Sequence, residues 1–518
     1  MTASLPPTRP AAPLSARTVP TDPTRPTSEE TSVSETPEKK RIVLNAFDMT
    51  CVTHQAAGTW RHPESRAWDY NTLEYWTELA KLLERGKFDS LFIADVVGVY
   101  DVYRGTVAGS LTDAVQVPVN DPFLQVPAMA AVTEHLGFGI TSALTYEQPY
   151  ALARKFSTLD HLTKGRVAWN VVTGYLNSAA INLGFDRQMS HDARYDLADE
   201  FLDVTYKLWE GSWDDDAVLR DKEKGVFTDP TKVHPIGHKG EFYSVPGIHL
   251  SEPSPQRTPV IFQAGASPRG RGFAAKHGEG VFISPGTIAQ ARETSDDIRD
   301  RAEALGRSRD SVKIFTLITV ITAETDEAAQ AKFEDYLRYA NPEGALSLYG
   351  GWTGVDFSEY DPDQPLVEVE NDSLRSALQM LTTIDPDRAW TPLDIVTKRS
   401  IGGLGPVLVG SVQKVADELE RWVDEGGIDG FNFAYAVTPG TFEDLVELIV
   451  PELQRRGRAR TEYEGSTLRE NLFGEGRVYA EDTHPARQYH GAFTGGASAA
   501  DGTKESKISD HLAETAGV

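Results

Sequence analysis

Residues 259–272, with the sequence PVIFQAGASPRGRG, join a short apolar run to a loop that opens with Gly265. The apolar run predicts a buried strand, and the residues after the loop predict the start of a helix. A strand, a glycine-rich loop and a helix start present backbone N–H groups to a phosphate. Ser267 can add a hydrogen bond, and Arg269 or Arg271 can add positive charge. An ordinary strand-to-helix turn with two solvated arginines is the alternative, because the loop lacks a phosphate-loop lysine and a strict GxGxxG pattern.

Seven further apolar runs with strand character alternate with helical patterns along the chain. These runs are residues 41–47, 90–95, 138–145, 166–173, 280–284, 313–321 and 430–434. Together with the run at 259–263 they make eight parallel-type strands separated by helices, which is the count of a (β/α)8 TIM barrel in the α/β class. A doubly wound open sheet is the alternative, but that fold usually has fewer strands.

The chain is longer than a barrel requires, since a TIM barrel needs about 250 residues. Residues 1–40 are rich in Pro, Thr, Ser and Glu and predict a disordered extension. The barrel is expected over residues 41–472, with insertions at about 210–258 and 325–405 that form a lid over its mouth. Residues 473–518 are expected to be a loose C-terminal tail.

Composition excludes several classes of protein. The net charge of −26, from 51 basic and 77 acidic residues, argues against nucleic-acid binding, which needs a basic face. The single cysteine, Cys51, excludes an internal disulfide and a cysteine-based metal cluster. The sequence contains no run of 18 apolar residues, so no membrane span is predicted, and no metal site is expected. These features fit a cytoplasmic protein.

Polar side chains stand at the ends of three predicted strands. Asp95 ends the second strand, Thr141 and Ser142 lie along the third, and Asn170 lies near the end of the fourth. Each alone could be a helix cap or a turn residue. In a barrel they gather at the carboxyl-terminal face with the glycine-rich loop, so together they predict one site.

Two histidine positions could belong to this site. His191 and Tyr195 are four residues apart at the start of a predicted helix and therefore share one face, which could also be an ordinary packed surface. His54 follows the first strand and could reach the barrel mouth to act as an acid or base. A histidine in a surface loop is the alternative for His54, and His62 is its competitor in the same loop.

Five separated motifs, in order along the chain, carry a resemblance to a known family. They are AGTWRH at 57–62, LERGKFD at 83–89, WNVVT at 169–173, HDARYDLADE at 191–200 and QAGASPRG at 263–270. Together they resemble the bacterial-luciferase-like FMN-dependent monooxygenases, in the branch of the nitrilotriacetate, dibenzothiophene sulfone and dimethyl sulfide enzymes. The resemblance runs from about residue 41 to residue 472.

The resemblance implies a two-component monooxygenase. Such an enzyme takes FMNH2 from a separate NADH:FMN reductase and inserts one oxygen atom from O2 into a small organic substrate through a flavin C4a-(hydro)peroxide. The substrate implied is an organosulfur compound, like dimethyl sulfide or an aromatic sulfone, and family habit implies a homo-oligomer, a dimer or tetramer. A deazaflavin-dependent barrel oxidoreductase and a non-catalytic flavin-binding homologue are the alternatives.

The resemblance also implies roles for individual residues. Asp95 is expected beside the isoalloxazine edge, with Thr141 or Ser142 beneath the ring and Asn170 as a further contact. His191 and Tyr195 are expected to bracket the flavin tail. Ser267, Gly265 and the amides of their loop are expected to hold the phosphate. His54 matches a histidine proposed as the acid–base group of the sulfone enzymes.

Overall fold

Eight parallel strands, β1 to β8, form a closed ring in the computed structural model. They are β1 (Val43–Met49), β2 (Ser90–Ala94), β3 (Gly137–Ala143), β4 (Val167–Val172), β5 (Val260–Gln263), β6 (Gly280–Ile283), β7 (Lys313–Ala323) and β8 (Gly430–Ala434). Each strand pairs with the next in sequence, and β8 also pairs with β1, which closes the ring. The predicted (β/α)8 TIM barrel is confirmed, and every predicted strand is present.

The structure describes residues 39–265, 267–366 and 388–501. The predicted disordered extension, 1–40, lies outside these ranges except for its last two residues. Part of the second insertion, 367–387, and the end of the chain, 502–518, also lie outside them.

Helices alternate with the strands around the barrel. They are α1 (Leu73–Arg85), α2 (Ala108–Thr112), α3 (Val126–Ala131), α4 (Pro149–Thr163), α5 (Asn177–Asn182), α6 (His191–Tyr206), α7 (Pro268–His277), α8 (Ile288–Ala304), α9 (Asp326–Leu337), α10 (Pro342–Thr353), α11 (Pro392–Lys398), α12 (Val412–Asp424), α13 (Gly440–Asp444), α14 (Val450–Arg455) and α15 (Leu468–Phe473). Apolar residues at helical spacing, such as Val415, Leu419 and Trp422 of α12, face the barrel and are buried. Within the described parts of the chain, every helix is too short or too polar to cross a lipid bilayer.

Three smaller strand pairs add to the barrel. Val407–Ser411 pairs in parallel with the end of the long strand β7. Two short antiparallel pairs, Val218–Asp221 with Val226–Thr228 and His238–Lys239 with Ser244–Val245, lie in the first insertion.

The barrel interior is filled by aromatic side chains. Phe92, Phe262, Phe282 and Phe315 pack against one another in its centre and are buried. Full burial of one such side chain stabilises the fold by about 1.5–3 kcal/mol. Leu468 of α15 packs beside Gly137, the first residue of β3, and so closes the amino-terminal end. The predicted site residues lie toward the other, carboxyl-terminal end.

The second insertion covers the carboxyl-terminal end of the barrel. Leu348 and Trp352 of α10 pack on Tyr100 and Leu176, which belong to the loops after β2 and β4. The backbone N–H of Asn341 donates to the carbonyl of Ala57 in the loop after β1, at 2.9 Å. The described part of residues 325–405 therefore lies where the sequence places a lid.

The first insertion does not cover the site. Residues 210–258 lie along the side of the barrel, where the carboxylate of Glu200 in α6 accepts the backbone N–H groups of Glu241 and Phe242 at 3.0 Å. None of these residues lines the cavities described below. The prediction of a lid is wrong for this segment, because its polar backbone groups find partners on the outer face of α6.

The tail is also different from the prediction. His484 is buried and donates a hydrogen bond to the carbonyl of His277 at 2.8 Å. Arg487 pairs with the buried carboxylate of Glu210 at 2.8 Å. A loose tail is therefore wrong for residues 474–501, because these anchors hold that segment against the barrel, while residues 502–518 lie outside the described chain.

Candidate active site

A cavity of about 330 Å³ opens at the carboxyl-terminal ends of β2, β4 and β5. Five of the predicted site residues line it: Asp95, His191, Tyr195, Gly265 and Ser267. A second cavity of about 400 Å³ shares part of its wall, including Asp95, and is also lined by Ser142. The structure thus brings six of the predicted cofactor-binding residues to two adjoining cavities, with Asp95 at their junction.

The glycine-rich loop and the start of α6 meet at one end of the first cavity. Ser267 is the N-cap of α7, and its Oγ accepts the backbone N–H of Gly270 at 3.0 Å. The same Oγ lies 3.3 Å from Nε2 of His191 and is hydrogen-bonded to the hydroxyl of Tyr195. Three polar side chains and two helix N-termini therefore converge, and such an arrangement favours an anion.

Two glycines of this loop lie in close contact with neighbouring side chains. A Cβ on Gly265 would lie 2.3 Å from Nε2 of Gln263 and 3.1 Å from the hydroxyl oxygen of Tyr195. A Cβ on Gly270 would lie 2.8 Å from the same hydroxyl. The two glycines thus allow the loop backbone to approach Tyr195 closely, as the predicted phosphate cradle requires.

The two arginines of the loop face carboxylates instead of the cavity. Arg269 pairs with Asp196 at 3.0 Å and Asp199 at 2.9 Å. Arg271 pairs with Asp297 at 3.2 Å. The expectation that one of them adds charge to the phosphate loop is wrong, because their long side chains reach acidic residues of α6 and α8.

The cation that does line the cavity is Arg194 of α6, which the sequence argument missed. Arg194 shares a helix face with His191 at spacing i, i+3, so the signal was present in the pattern. Its guanidinium donates to the carbonyl of Met189 at 2.8 Å, and burial lowers its pKa. Among the described residues no carboxylate lies within ion-pair distance of it, and its buried Nε has no hydrogen-bond partner there.

Two predicted residues lie beneath the cavities instead of lining them. Thr141 and Asn170 occupy neighbouring positions on β3 and β4, and Nδ2 of Asn170 donates to Oγ1 of Thr141 at 2.8 Å. Both are buried on the inward side of the barrel, like Ala168 two residues before Asn170. Oδ1 of Asn170 has no partner among the described residues.

His54 is enclosed in the barrel mouth and lines neither cavity. Its ring packs edge-on against Phe47 at 4.3 Å and lies 6.2 Å from the ring of Tyr435. Burial lowers the pKa of His54 to about 3, so the imidazole is neutral at pH 7. His54 therefore does not titrate near neutrality as an unperturbed histidine would, and its buried Nδ1 has no partner among the described residues.

The pKa of Asp95, unlike that of His54, is shifted upward. Burial, and then the negative charge of Asp121, raise the pKa of its carboxyl to about 7. The near-neutral group at the cavity junction is therefore a carboxyl. Sequence alone could not indicate this, because the shift depends on burial and on Asp121, which lies 26 residues away on another segment.

A chain of hydrogen bonds links the cavity to the segment around His54. The hydroxyls of Tyr175, which lines the cavity, and Tyr100 lie 2.5 Å apart. Tyr100 donates to Oε1 of Gln116 at 2.8 Å, and Nε2 of Gln116 donates to the carbonyl of His54 at 3.1 Å. This chain fixes the ring of Tyr175 in the cavity wall, a role that sequence spacing could not reveal.

Comparison with known proteins agrees with this geometry. Residues 47–430 match the family model of luciferase-like monooxygenases. The chain belongs to this family. The predicted family is therefore confirmed, and the protein is a flavin-dependent monooxygenase. In the described residues, no group of three or more His, Cys, Asp or Glu side chains could hold a metal ion.

Individual relatives match most of this chain over nearly their own full length. The chain is 65% identical to dimethyl-sulfide monooxygenase from Hyphomicrobium sulfonivorans, over 92% of this chain and 100% of the relative. It is 51% identical to long-chain alkane monooxygenase from Geobacillus thermodenitrificans, over 87% and 98%. The crystal structure of DmoA from Hyphomicrobium sulfonivorans superposes with a TM-score of 0.86 at 65% identity, covering 90% of this chain and 100% of that one. The predicted branch, with its dimethyl sulfide enzyme, is confirmed.

Proposed function

We propose that this luciferase-like monooxygenase binds FMNH2 in the first cavity and uses O2 to insert one oxygen atom into a small organosulfur substrate. The observation that carries the proposal is the convergence of Ser267, His191 and Tyr195 at one end of a cavity whose other end holds Asp95. The first end suits a phosphate, and the second suits the polar edge of a flavin ring.

The residues fit an FMN phosphate. Two glycines allow the loop to approach Tyr195 closely, and the Ser267 hydroxyl, which now contacts Tyr195 and His191, can turn its proton to an anion instead. Arg194 supplies positive charge that no described carboxylate neutralises. A hydrogen bond to a charged group contributes about 1.5–3 kcal/mol. Gly265 and Tyr195 complete the cradle, and His191 closes it from α6.

The remaining predicted residues fit the ring. Ser142 lines the adjoining cavity beside Asp95, while Thr141 and Asn170 form the floor. When bound, reduced FMN supplies the activation of O2. The protein's own part is to orient the ring and to exclude water, which is the role of the second insertion over the barrel mouth.

The substrate assignment rests on the relatives. Dimethyl-sulfide monooxygenase, at 65% identity, favours a small organosulfur substrate. Long-chain alkane monooxygenase, at 51% identity, marks an unactivated alkane as the competitor, which a substrate panel separates.

We also propose that a separate flavin reductase delivers FMNH2 and that the enzyme is a dimer or tetramer. The family's two-component members support the reductase. Such a partner is detected as NADH-dependent product formation only when both proteins are present.

The test separates phosphate recognition from ring recognition. FMN and riboflavin differ by the phosphate, so their dissociation constants are compared for the wild type and Arg194→Gln. We expect about 10-fold to 100-fold weaker FMN binding, the size of one charge-assisted hydrogen bond, and unchanged riboflavin binding. The matched control is Arg271→Gln, because the Arg271 guanidinium is paired with Asp297 at 3.2 Å and its loss should leave both constants unchanged.

Equal losses for both ligands in Arg194→Gln would place the phosphate elsewhere. Product analysis with dimethyl sulfide, an aromatic sulfone and an alkane, under enzymatically reduced FMN, then decides the substrate class. Formation of alkanol alone would overturn the organosulfur assignment.

A further inference from the structure

We propose that Asp95 and Asp121 form a carboxyl pair that takes up one proton when the flavin binds, with Asp95 holding that proton. This inference rests on the proposed flavin site. It concerns the junction of the two cavities, where Asp95 lines both and Asp121 lines the second.

The first step of the argument is the lack of a compensating cation. Asp95 follows β2 directly, and among the described residues no lysine, arginine or histidine lies within ion-pair distance of its carboxylate. Arg194 lines the same cavity, but it belongs to the phosphate end with His191, Tyr195 and Ser267. An ionised Asp95 is therefore a largely buried negative charge without a positive partner, which is unfavourable.

The second step is the charge that surrounds Asp95. The titratable groups that face the two cavities or interact with Asp95 are Cys51 after β1, Asp121 before α3, Tyr146 and Glu147 after β3, Tyr175 after β4, and His191, Arg194 and Tyr195 of α6. Glu147 is already paired with Lys155 at 2.9 Å. The exposed carboxylate of Asp121 has no such partner in the described chain, so its charge acts on Asp95.

The third step is the consequence for a ligand. Burial and the charge of Asp121 raise the pKa of Asp95 to about 7, so the group is partly protonated at neutral pH. FMN brings further negative charge and excludes water, and both effects favour the neutral carboxyl. Binding then draws one proton from solvent onto Asp95, and the protonated carboxyl becomes a hydrogen-bond donor to an acceptor atom of the ring.

The experiment measures protons directly. Oxidised FMN is titrated into the protein by calorimetry at pH 6 to 9 in buffers of different ionisation enthalpy, which yields the number of protons taken up. The FMN phosphate titrates near pH 6 and contributes equally in every variant. The wild type minus Asp95→Asn should show uptake of up to about one proton, largest just above pH 7.

Asp121→Asn provides the second, independent measurement. Asp121 is exposed, so the variant should fold, and removal of its charge should move the midpoint of proton uptake to lower pH by about half a unit or more. Glu147→Gln is the matched control, since it removes a carboxylate from the same cavity that Lys155 already neutralises, and its midpoint should stay in place.

The outcomes separate the two hypotheses. Equal proton uptake in the wild type and Asp95→Asn, or an unshifted midpoint in Asp121→Asn, would overturn the carboxyl pair while FMN binding itself stands. Failure of the wild type to bind either oxidised FMN or FMNH2 would instead overturn the proposed flavin site.

Discussion

Oγ of Ser267 and Nε2 of His191 lie 3.3 Å apart, although 76 residues separate them in the sequence. Ser267 caps α7, and His191 is the first residue of α6, so this contact joins the N-termini of two helices. Each N-terminus carries a partial positive charge and unpaired backbone N–H groups. The proposed phosphate site therefore combines two helix starts, and each is incomplete without the other.

Ser267→Ala should weaken FMN binding by about 1–2 kcal/mol, the value of one charge-assisted hydrogen bond, or roughly 10-fold in the dissociation constant. Fluorescence quenching of FMN on titration with protein measures it. The substitution also removes the cap of α7 and should lower the free energy of unfolding by about 1 kcal/mol.

Thr287→Ala separates these two effects. Thr287 caps α8 through the backbone N–H of Gln290 at 3.2 Å and lines neither cavity. It should lose similar stability and keep full FMN affinity. If both variants bound FMN equally well, Ser267 would have no direct contact with the phosphate.

Local pattern was sufficient to predict the barrel. The strands are apolar runs bounded by turns, and a run such as Val260–Gln263, behind a proline and only four residues long, fits a buried strand better than a helix. The same reasoning found Asp95, Ser267 and the helix face of His191, because strand ends and helix starts converge at one face of a barrel.

Properties that depend on distant residues could not be predicted in this way. Arg269 belongs to the glycine-rich segment in sequence but pairs with the carboxylates of α6, whereas Arg194 lines the cavity. His54 has an ordinary histidine's pKa only while solvent reaches it, and Phe47 and the barrel mouth remove that solvent. The average composition of the tail predicts a loose segment, because an average does not reveal single anchoring residues such as Arg487.

Asp48 should make the protein less stable as pH rises from about 4 to 7. Its buried carboxyl has no cation within ion-pair distance among the described residues and accepts hydrogen bonds from Met49 N at 2.7 Å and the Tyr75 hydroxyl at 2.9 Å. Burial raises the pKa of this carboxyl from 3.8 to about 7. The unfolded chain therefore loses this proton at lower pH than the folded chain. The stabilisation is complete below the unfolded pKa and is lost as pH rises through the folded pKa.

The comparison of the wild type with Asp48→Asn isolates this contribution. The asparagine cannot ionise, so the free energy of unfolding of the variant should gain on the wild type by up to about 1.4 kcal/mol per pH unit in this window. Denaturant titrations at pH 5, 6 and 7 measure the difference. A difference that does not change with pH would mean that Asp48 is already ionised at pH 5.

Arg487→Ala should show that the tail stabilises the barrel. Glu210 is fully buried, and Arg487 pairs with it at 2.8 Å while Thr258 and His490 also contact its carboxylate. Removing the guanidinium should therefore cost about 3 kcal/mol in the free energy of unfolding, the lower end of the range for a broken buried pair. Adding Glu210→Gln removes that charge and should restore part of the loss. A double variant that is no more stable than Arg487→Ala would contradict this account.

His54→Ala should keep the fold and the FMN affinity, because His54 lines neither cavity. Turnover should fall by roughly 10²-fold, the usual effect of removing a side chain that takes part in proton transfer. This role is suggested by the buried Nδ1 of His54, which has no partner among the described residues and needs a hydrogen bond from substrate or water. Since burial holds the pKa of His54 near 3, the imidazole acts as a neutral group, and the midpoints of the pH–rate profile should not move in the variant.

His62 is the matched control in the same loop: its Nε2 pairs with Asp335 at 3.0 Å, so His62→Ala should lose stability but keep the turnover of the folded enzyme. Single-turnover product yield from preloaded FMNH2, with free hydrogen peroxide assayed in parallel, measures both variants. A normal yield in His54→Ala would remove this residue from the chemistry and leave proton transfer to Asp95.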